Sequence, residues 1–479
     1  MIFSSPDFVF GFLPFSLVLF FIAKRLGGAW AIGAIVLLSS IFYSAWDVRF
    51  LPLLLGSVLF NYTIAQALDR VSGERRRAVI YGAAVVINLA AICYFKYSNF
   101  ALSNFAVLAG RSLTPIEVIL PLGISFFTFQ NIVYINGVWH RKYPAGRLLD
   151  YASCIVFFPH LIAGPIVLYQ DLIHQFQAMR AGRFPRPEYE VGGFIFVVGL
   201  FKKLVLADSL APVADAMFSN ATNAPLLFKE AWFGALAYTF QIYFDFSGYS
   251  DMAIGLGLLF GVRLPLNFFS PYKAANIIDF WHTWHMTLSR FLREYVYIPL
   301  GGNRRGRTRR YVNLMLTMLL GGLWHGAGWT FVAWGALHGI YLCINHGWRA
   351  LEARWPRLKP LGVVGWPLTF VAVVMAWVFF RAPNMSVAYS ILGAMTTGAM
   401  TGPGTGAPLR EELLLMSAAI CFLLPNTIQW AGYDPYQAKQ PLQWYQFRPG
   451  AAFGFATGVM LLASVAYMTR ISPFIYFQF

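Results

Sequence analysis

Apolar runs long enough to cross a lipid bilayer recur along almost the whole of this chain. A helical span of the hydrocarbon core needs about 20 predominantly apolar residues. Hydrophobic residues make up 58% of the 479 positions and charged residues only 12%, whereas soluble domains carry about 25% charged residues. The sequence therefore predicts an all-α polytopic membrane protein, with about eleven to thirteen transmembrane or re-entrant helices. The apolar runs cover 8–23, 29–46, 50–67, 78–95, 116–138, 191–212, 231–262, 311–346, 362–380, 411–430 and 450–468.

Basic residues are concentrated in the short loops between these runs. The formal net charge is +16, and the clusters lie at 24–25, 75–77, 304–310 and 349–359. Cytoplasmic loops of membrane proteins are enriched in lysine and arginine, so this distribution predicts cytoplasmic loops and argues against a nucleic-acid partner. No basic n-region precedes the first run and no small-residue cleavage site follows it, so we expect it to be a retained span. With the basic loops inside, we expect both termini to lie on the outer face.

If each apolar run crosses the membrane once, successive loops lie on opposite sides, and residues 150–170 do not fit this pattern. Basic residues flank the same apolar run at 141–147 and 180–186, and Pro159 and Pro165 interrupt it. Irregular backbone at membrane depth is tolerated only where protein or a water-filled cavity satisfies its polar groups. We therefore expect residues 150–170 to enter and leave the membrane on one side.

A titratable side chain, His325, lies inside the apolar run 311–346. Residues 321–328 read Gly-Gly-Leu-Trp-His-Gly-Ala-Gly, which places this imidazole among four glycines. Burying a polar group without a partner costs about 1 to 3 kcal/mol, so a histidine within a membrane indicates a functional site. Glycines also let backbone and a slender ligand approach closely.

A second histidine is predicted to lie near His325. Apolar residues recur at helical spacing through 279–300, which predicts one amphipathic helix that contains His285. At a rise of about 1.5 Å per residue, about 18 residues separate His285 from the following turn and about 14 separate that turn from His325. A helical hairpin around the arginine-rich loop 304–310 would therefore bring the two imidazoles to similar depth.

No metal, disulfide or serine-hydrolase site is predicted. The four cysteines are scattered through apolar runs without CxxC spacing. His282 and His285 have ligand-like spacing, but no second pair of ligands and no HExxH motif accompanies them, and no Gly-x-Ser-x-Gly elbow is present. Because no internal repeat or soluble insertion is visible, we expect a single membrane domain over residues 1–479.

Several motifs occur in the order that is characteristic of one enzyme family. They lie at 120–126, 158–165, 243–251, 284–289, 300–304 and 322–326, and the similarity extends from Phe3 to Phe479. With these motifs, the chain resembles the membrane-bound O-acyltransferases, and within them the bacterial inner-membrane subunits that O-acetylate alginate. His282 and Thr283 stand where the alginate-type sequences usually carry arginine.

The resemblance implies an O-acyltransferase with helices around a central catalytic channel. His325 corresponds to the essential histidine of the family, and His285 to the histidine of its Trp-His element. Acyl transfer to a hydroxyl needs a base that titrates near neutral pH, so we predict that His325 is the general base. Asp245 or Asp251 could orient an imidazole. The predicted channel residues are Gly321, Gly322, Trp324, Gly326, Ser289 and Asp251.

The resemblance also implies the substrates and surroundings of the enzyme. The donor is expected to be acetyl-CoA or another pantetheine thioester on the cytoplasmic side, with no bound cofactor. The acceptor is expected to be an exported polysaccharide such as alginate, reached through periplasmic acetyltransferase-type partners and the export machinery. The chain would lie in the bacterial inner membrane with both termini in the periplasm. Cellulose or another exopolysaccharide, D-alanyl transfer, a proton-coupled transporter and a non-catalytic scaffold remain alternatives.

Overall fold

The computed structural model describes residues 1–185, 188–222, 224–400, 404–405, 409–435, 443–470 and 474–475. Within these residues the regular structure is helical and contains no β-strand, so the predicted all-α fold is confirmed. Residues 476–479, at the end of the similarity that extends from Phe3 to Phe479, lie outside the described residues. The α-helices are α1 (Leu13–Leu26), α2 (Gly28–Ser44), α3 (Leu51–Arg70), α4 (Glu74–Ile92), α5 (Ser98–Ala109), α6 (Ile124–Trp139), α7 (Leu148–Val156), α8 (Phe158–Leu161), α9 (Tyr169–Arg180), α10 (Tyr189–Phe201), α11 (Asp208–Asn220), α12 (Phe228–Leu259), α13 (Ile277–Thr283), α14 (Met286–Leu292), α15 (Arg307–His325), α16 (Trp329–Arg354), α17 (Gly365–Arg381), α18 (Met385–Thr397), α19 (Glu411–Leu423), α20 (Thr427–Ala431) and α21 (Ala451–Tyr467).

The chain divides into two compact units. The first comprises Met1–Val197, Tyr249–Pro265 and Pro435–Gln437, and the second comprises Val198–Gly248, Leu266–Asp434 and Ala438–Phe479. Helices α10 and α12 contribute residues to both units. The single domain over residues 1–479 stays a prediction.

Long apolar helices mark the chain as a membrane protein. Among the described residues, four helical segments have the length and composition to cross a bilayer: Asp7–Leu26, Val48–Arg70, Glu74–Ala109 and Gly362–Arg381. Their outer surfaces are apolar, and Val107 and Leu108 are 82% and 87% exposed, as expected of side chains that face lipid. Other predicted runs are interrupted, because 116–138 becomes helical only at Ile124 and 191–212 contains the π-helical segment Lys202–Ala207.

Three buried polar side chains of the first unit, Asn61, Asn88 and Arg77, bond to one another or to backbone carbonyls. Asn61 of α3 and Asn88 of α4 exchange amide hydrogen bonds of 3.1 and 2.8 Å. The Arg77 guanidinium donates to the carbonyls of Leu68 and Trp139, each at 2.8 Å. Such bonds between membrane helices compensate for the cost of burying polar groups, and here they join α3, α4 and α6.

The segment predicted to be re-entrant is broken and wholly buried. Helix α7 ends at Val156, α8 spans a single turn, and every residue from 150 to 169 is buried. The Phe158 N–H donates to Ser39 Oγ at 3.0 Å, so a polar group freed by the break is satisfied by protein. Entry and exit on the same side of the membrane stay a prediction.

The prediction of one helix over 279–300 is wrong. Helix α13 ends at Thr283, α14 begins at Met286, and a π-helical segment follows at Arg293–Tyr297. Between α13 and α14, His285 takes the left-handed conformation with φ of +42°. Two backbone hydrogen bonds to the segment 267–269 stabilise this break. The N–H of Phe269 donates to the Thr283 carbonyl, and the N–H of Met286 donates to the Asn267 carbonyl, each at 2.9 Å. The apolar period continues across the break, so the period alone does not reveal it.

Candidate active site

His325 is the last residue of α15 and is 4% exposed. The ring centroids of Trp324, Trp334 and Phe380 lie 4.7, 5.0 and 5.1 Å from the centroid of its imidazole. Helix α15 ends here because Gly326 adopts an extended backbone and begins the short turn into α16. The glycine-rich sequence therefore places a histidine at a helix end, among aromatic rings.

His285 is fully buried in the same unit. The rings of Phe246 and Phe268 lie 4.7 and 6.5 Å from its imidazole, centroid to centroid. Its Nδ1 atom is 3.0 Å from Oδ1 of Asn267, a side chain that is 1% exposed. The imidazole is thus held by a side chain that precedes it by 18 residues.

The structure brings the two predicted histidines together. Their ring centroids are 6.5 Å apart. The surrounding rings, which we call the aromatic chamber, belong to Phe246, Phe268, Trp324, Trp334 and Phe380. Two imidazoles at this separation, shielded from water by aromatic rings, can bind and deprotonate a hydroxyl group placed between them.

Of the predicted channel residues Trp324 and Ser289, the first contacts both imidazoles and the second bonds to backbone. The Trp324 indole lies next to both imidazoles, 4.7 Å from that of His325 and 6.0 Å from that of His285. Ser289 is half-buried on α14, and its hydroxyl donates to the Trp284 carbonyl at 3.4 Å. The roles of both residues in a substrate channel stay predictions.

The glycines before and after His325 allow close packing of α15 on α16. A Cβ atom on Gly322 would lie 2.3 Å from the Phe331 carbonyl oxygen, and one on Gly326 would lie 2.1 Å from the Phe331 ring. At Gly321 the nearest atom would be Leu292 Cδ1 at 3.2 Å. The space beside Gly322 is therefore filled by α16, and a channel along these glycines stays a prediction.

Replacing Gly322 by alanine should destabilise the protein, because the new methyl group meets backbone that cannot rotate away. Overpacking of this kind costs about 1 to 3 kcal/mol. Gly347→Ala in α16 is the matched control, since nothing lies within 4 Å of a Cβ atom there. The midpoint of thermal unfolding in detergent should fall for the first variant only, and equal midpoints would contradict the packing role.

The two aspartates considered as partners of an imidazole belong to different units, and their roles beside an imidazole or in a substrate channel stay predictions. Asp251 belongs to the first unit, where it is 4% exposed. Asp245, in the second unit, forms an ion pair of 2.6 Å with Lys203 and also accepts the Ile475 N–H at 3.0 Å. Its carboxylate therefore neutralises a lysine and holds backbone near the carboxyl end of the described chain.

Three further histidines, His338, His160 and His282, differ in their surroundings. His338 is buried, and its Nδ1 accepts from the Trp281 indole at 3.3 Å. His160, in the first unit, lies 3.1 Å from the Gln130 amide, and His282 is exposed. In the described part of the chain, no group of three His, Cys, Asp or Glu side chains has the geometry to hold a metal ion.

The region that contains both histidines matches a known family. The sequence model of the membrane-bound O-acyltransferase family matches residues 127–391, more than half of the chain. The chain belongs to this family. The resemblance inferred from the motifs is thereby confirmed.

Individual relatives of this acyltransferase agree with that assignment. A probable alginate O-acetylase, AlgI, of Pseudomonas putida is 40% identical over the full length of both chains. A peptidoglycan O-acetyltransferase of Helicobacter pylori is 41% identical over 82% of this chain and 80% of its own. A teichoic acid D-alanyltransferase of Streptococcus thermophilus is 28% identical over 54% of this chain and 68% of its own. The chain is an O-acyltransferase, as predicted.

Two polar residues of this acyltransferase were not predicted to matter. Asn267 holds His285, and Lys203 lies between two carboxylates, 2.8 Å from Asp208 and 2.6 Å from Asp245. Lys203 interrupts the apolar run 191–212, as His325 interrupts 311–346, so a search for polar residues within apolar runs finds it. Asn267 lies between the runs 231–262 and 311–346, and no comparable sequence feature marks it.

Proposed function

We propose that this acyltransferase moves an acetyl group from a cytoplasmic thioester to a hydroxyl group of an exported polysaccharide. The observation that carries the proposal is the pair of buried imidazoles, whose centroids lie 6.5 Å apart in the aromatic chamber. His325 is the proposed general base and His285 its companion. Acetyl-CoA or another pantetheine thioester is the proposed donor, and no bound cofactor is required.

The proposed reaction exchanges a thioester for an oxygen ester. His325 takes the proton of the acceptor hydroxyl while its oxygen forms a bond to the acyl carbon and the carbon–sulfur bond breaks. The proton finally goes to the thiolate, which leaves as a thiol. The aromatic chamber separates the reacting groups from bulk water, which limits hydrolysis of the thioester.

Alginate is the proposed acceptor, since a probable alginate O-acetylase matches over the full length of both chains. Peptidoglycan is the second candidate, because a peptidoglycan O-acetyltransferase is equally similar over most of the chain. Teichoic acid D-alanylation has weaker support, because that relative is 28% identical over 54% of this chain. Cellulose and other exopolysaccharides are further alternatives.

The proposed setting is the bacterial inner membrane, with both termini in the periplasm. A donor that binds from the cytoplasm and an acceptor that is exported require a site open to both faces. We propose that periplasmic acetyltransferase-type proteins and the export machinery work with this chain to complete the transfer. The basic loops at 24–25 and 304–310 support the orientation through their positive charge.

Deleting the gene in its native host tests both the reaction and the acceptor. We expect the exported polysaccharide to lose its acetyl esters, measured after alkaline release, while the acetyl content of peptidoglycan is unchanged. The wild-type chain on a plasmid should restore the esters. Loss confined to peptidoglycan would transfer the assignment to the second candidate, and unchanged esters in every polymer would overturn the proposal.

A further inference from the structure

The side-chain oxygen of Asn267 is a shared hydrogen-bond acceptor beside His285. Its Oδ1 lies 3.0 Å from His285 Nδ1 and accepts from the Thr287 hydroxyl at 2.9 Å and the Thr287 N–H at 3.4 Å. All three residues are buried, with exposures of 0% for His285, 1% for Asn267 and 3% for Thr287. The three donors converge on one atom away from bulk water.

The backbone donor fixes the direction of these hydrogen bonds. A backbone N–H can only donate, so the Asn267 atom that faces Thr287 is the carbonyl oxygen and not the amide nitrogen. A carbonyl oxygen can only accept, so the hydrogen between it and His285 belongs to Nδ1. A neutral imidazole carries one N–H, which leaves the lone pair of His285 on Nε2.

The backbone around His285 is strained and held by the same residue. Its φ of +42° lies in the left-handed region, which costs a non-glycine residue on the order of 1 to 3 kcal/mol and is typical of functional sites. The next residue, Met286, donates its N–H to the backbone carbonyl of Asn267 at 2.9 Å. Asn267 thus sets the position of His285 through its main chain and its tautomer through its side chain.

We propose that Asn267 is a positioning residue that makes Nε2 of His285 the second proton acceptor of the active site. This inference rests on the proposed acyl transfer. Ring centroids 6.5 Å apart are too distant for a direct hydrogen bond and leave room for one bridging oxygen atom.

In the proposed step one proton moves from the acceptor hydroxyl to the leaving thiolate through both imidazoles, which end in their neutral form. The acceptor O–H bond breaks as its proton goes to His325, the carbon–oxygen bond of the ester forms, and the carbon–sulfur bond of the thioester breaks. Nε2 of His285 then receives a proton from the His325 imidazolium through a bridging water molecule. It passes that proton to the thiolate, so that a thiol leaves and both imidazoles are neutral again.

Variants of Asn267 test this assignment through the ester content of the exported polysaccharide, divided by the membrane level of each variant. Asn267→Leu removes the acceptor, and we expect the rate of ester formation to fall by about 100-fold. Asn267→Asp keeps an oxygen that only accepts, and it should retain at least about a tenth of the wild-type rate, because a carboxylate also holds the Nδ1–H tautomer. Asn313→Leu is the matched control, since Asn313 is equally buried and its amide donates to the Gly302 carbonyl.

The aspartate variant decides the direction of the bond even if the leucine variant does not fold. An aspartate variant that reaches the membrane at the wild-type level and forms no ester would overturn the proposal, as would a fully active Asn267→Leu. The same series includes His325→Ala. Full acetylation by His325→Ala would refute the proposed function, whereas an inactive His325→Ala beside a fully active Asn267→Leu would refute only the role of Asn267.

Discussion

Replacing His325 by alanine should reduce ester formation by at least about 100-fold, the loss expected when a general base is removed, while the protein stays in the membrane. The side chain is 4% exposed and lies against three aromatic rings, so no water molecule in bulk solvent can replace it as a base. The measurement is the acetyl content of the exported polysaccharide, divided by the amount of the variant in the membrane.

His338→Gln is the matched control for this loss. His338 is also fully buried in the second unit, and its imidazole packs 4.8 Å from the same Trp334 ring. It accepts a hydrogen bond from Trp281, which a glutamine side chain can also accept. We expect this variant to retain most of the activity. If both variants lost ester formation equally at equal membrane levels, the assignment of His325 as the base would be contradicted.

The sequence predicted which histidines meet but not how they are held. A polar residue inside an apolar run is visible in the sequence, and the spacing around the arginine-rich loop 304–310 placed His285 at a depth similar to that of His325. The break between α13 and α14 is not visible, because the apolar period continues through it and the backbone of 267–269 enforces it. The estimate from two straight antiparallel helices placed the two imidazoles close together. The structure agrees on their proximity, although residues 279–300 do not form one straight helix.

The glycines near His325 illustrate a second limit. A glycine beside a histidine is compatible with a narrow channel and with close helix packing, and the sequence does not distinguish the two. At Gly322 the answer depends on a residue nine positions later, Phe331, whose carbonyl oxygen occupies the space that a side chain would need. Only the path of α16 determines this contact.

Long-range ion pairs were also not predictable from the sequence. Asp245 was considered as a partner for an imidazole because it lies within an apolar run. Its partner, Lys203, comes from the π-helical segment Lys202–Ala207. A π-helical turn shifts the faces on which later side chains lie, so helical spacing from α10 does not predict where Lys203 lies.

The buried ion cluster of the second unit leads to the largest predicted effect on stability. Lys203 lies between the carboxylates of Asp208 and Asp245, at 2.8 and 2.6 Å, and all three side chains are at most 4% exposed. Lys203→Met removes the only positive charge within this trio and leaves two carboxylates facing each other in a poorly solvated site. Removing one partner of a buried pair costs about 3 to 5 kcal/mol, so the midpoint of thermal unfolding in detergent should fall strongly.

The same substitution at an exposed pair provides the control. Lys229 and Glu411 are 2.7 Å apart with about half of each side chain exposed, so Lys229→Met should cost no more than about 1 kcal/mol.

Adding Asp208→Asn and Asp245→Asn to Lys203→Met should restore much of the lost stability, because neutral groups of similar size often replace a buried ion cluster at little cost. Equal effects of the two single lysine variants would show that the cluster does not stabilise the fold. A triple variant that is stable but forms no ester would indicate that the charges serve the active site, since Asp245 precedes Phe246, whose ring packs on His285.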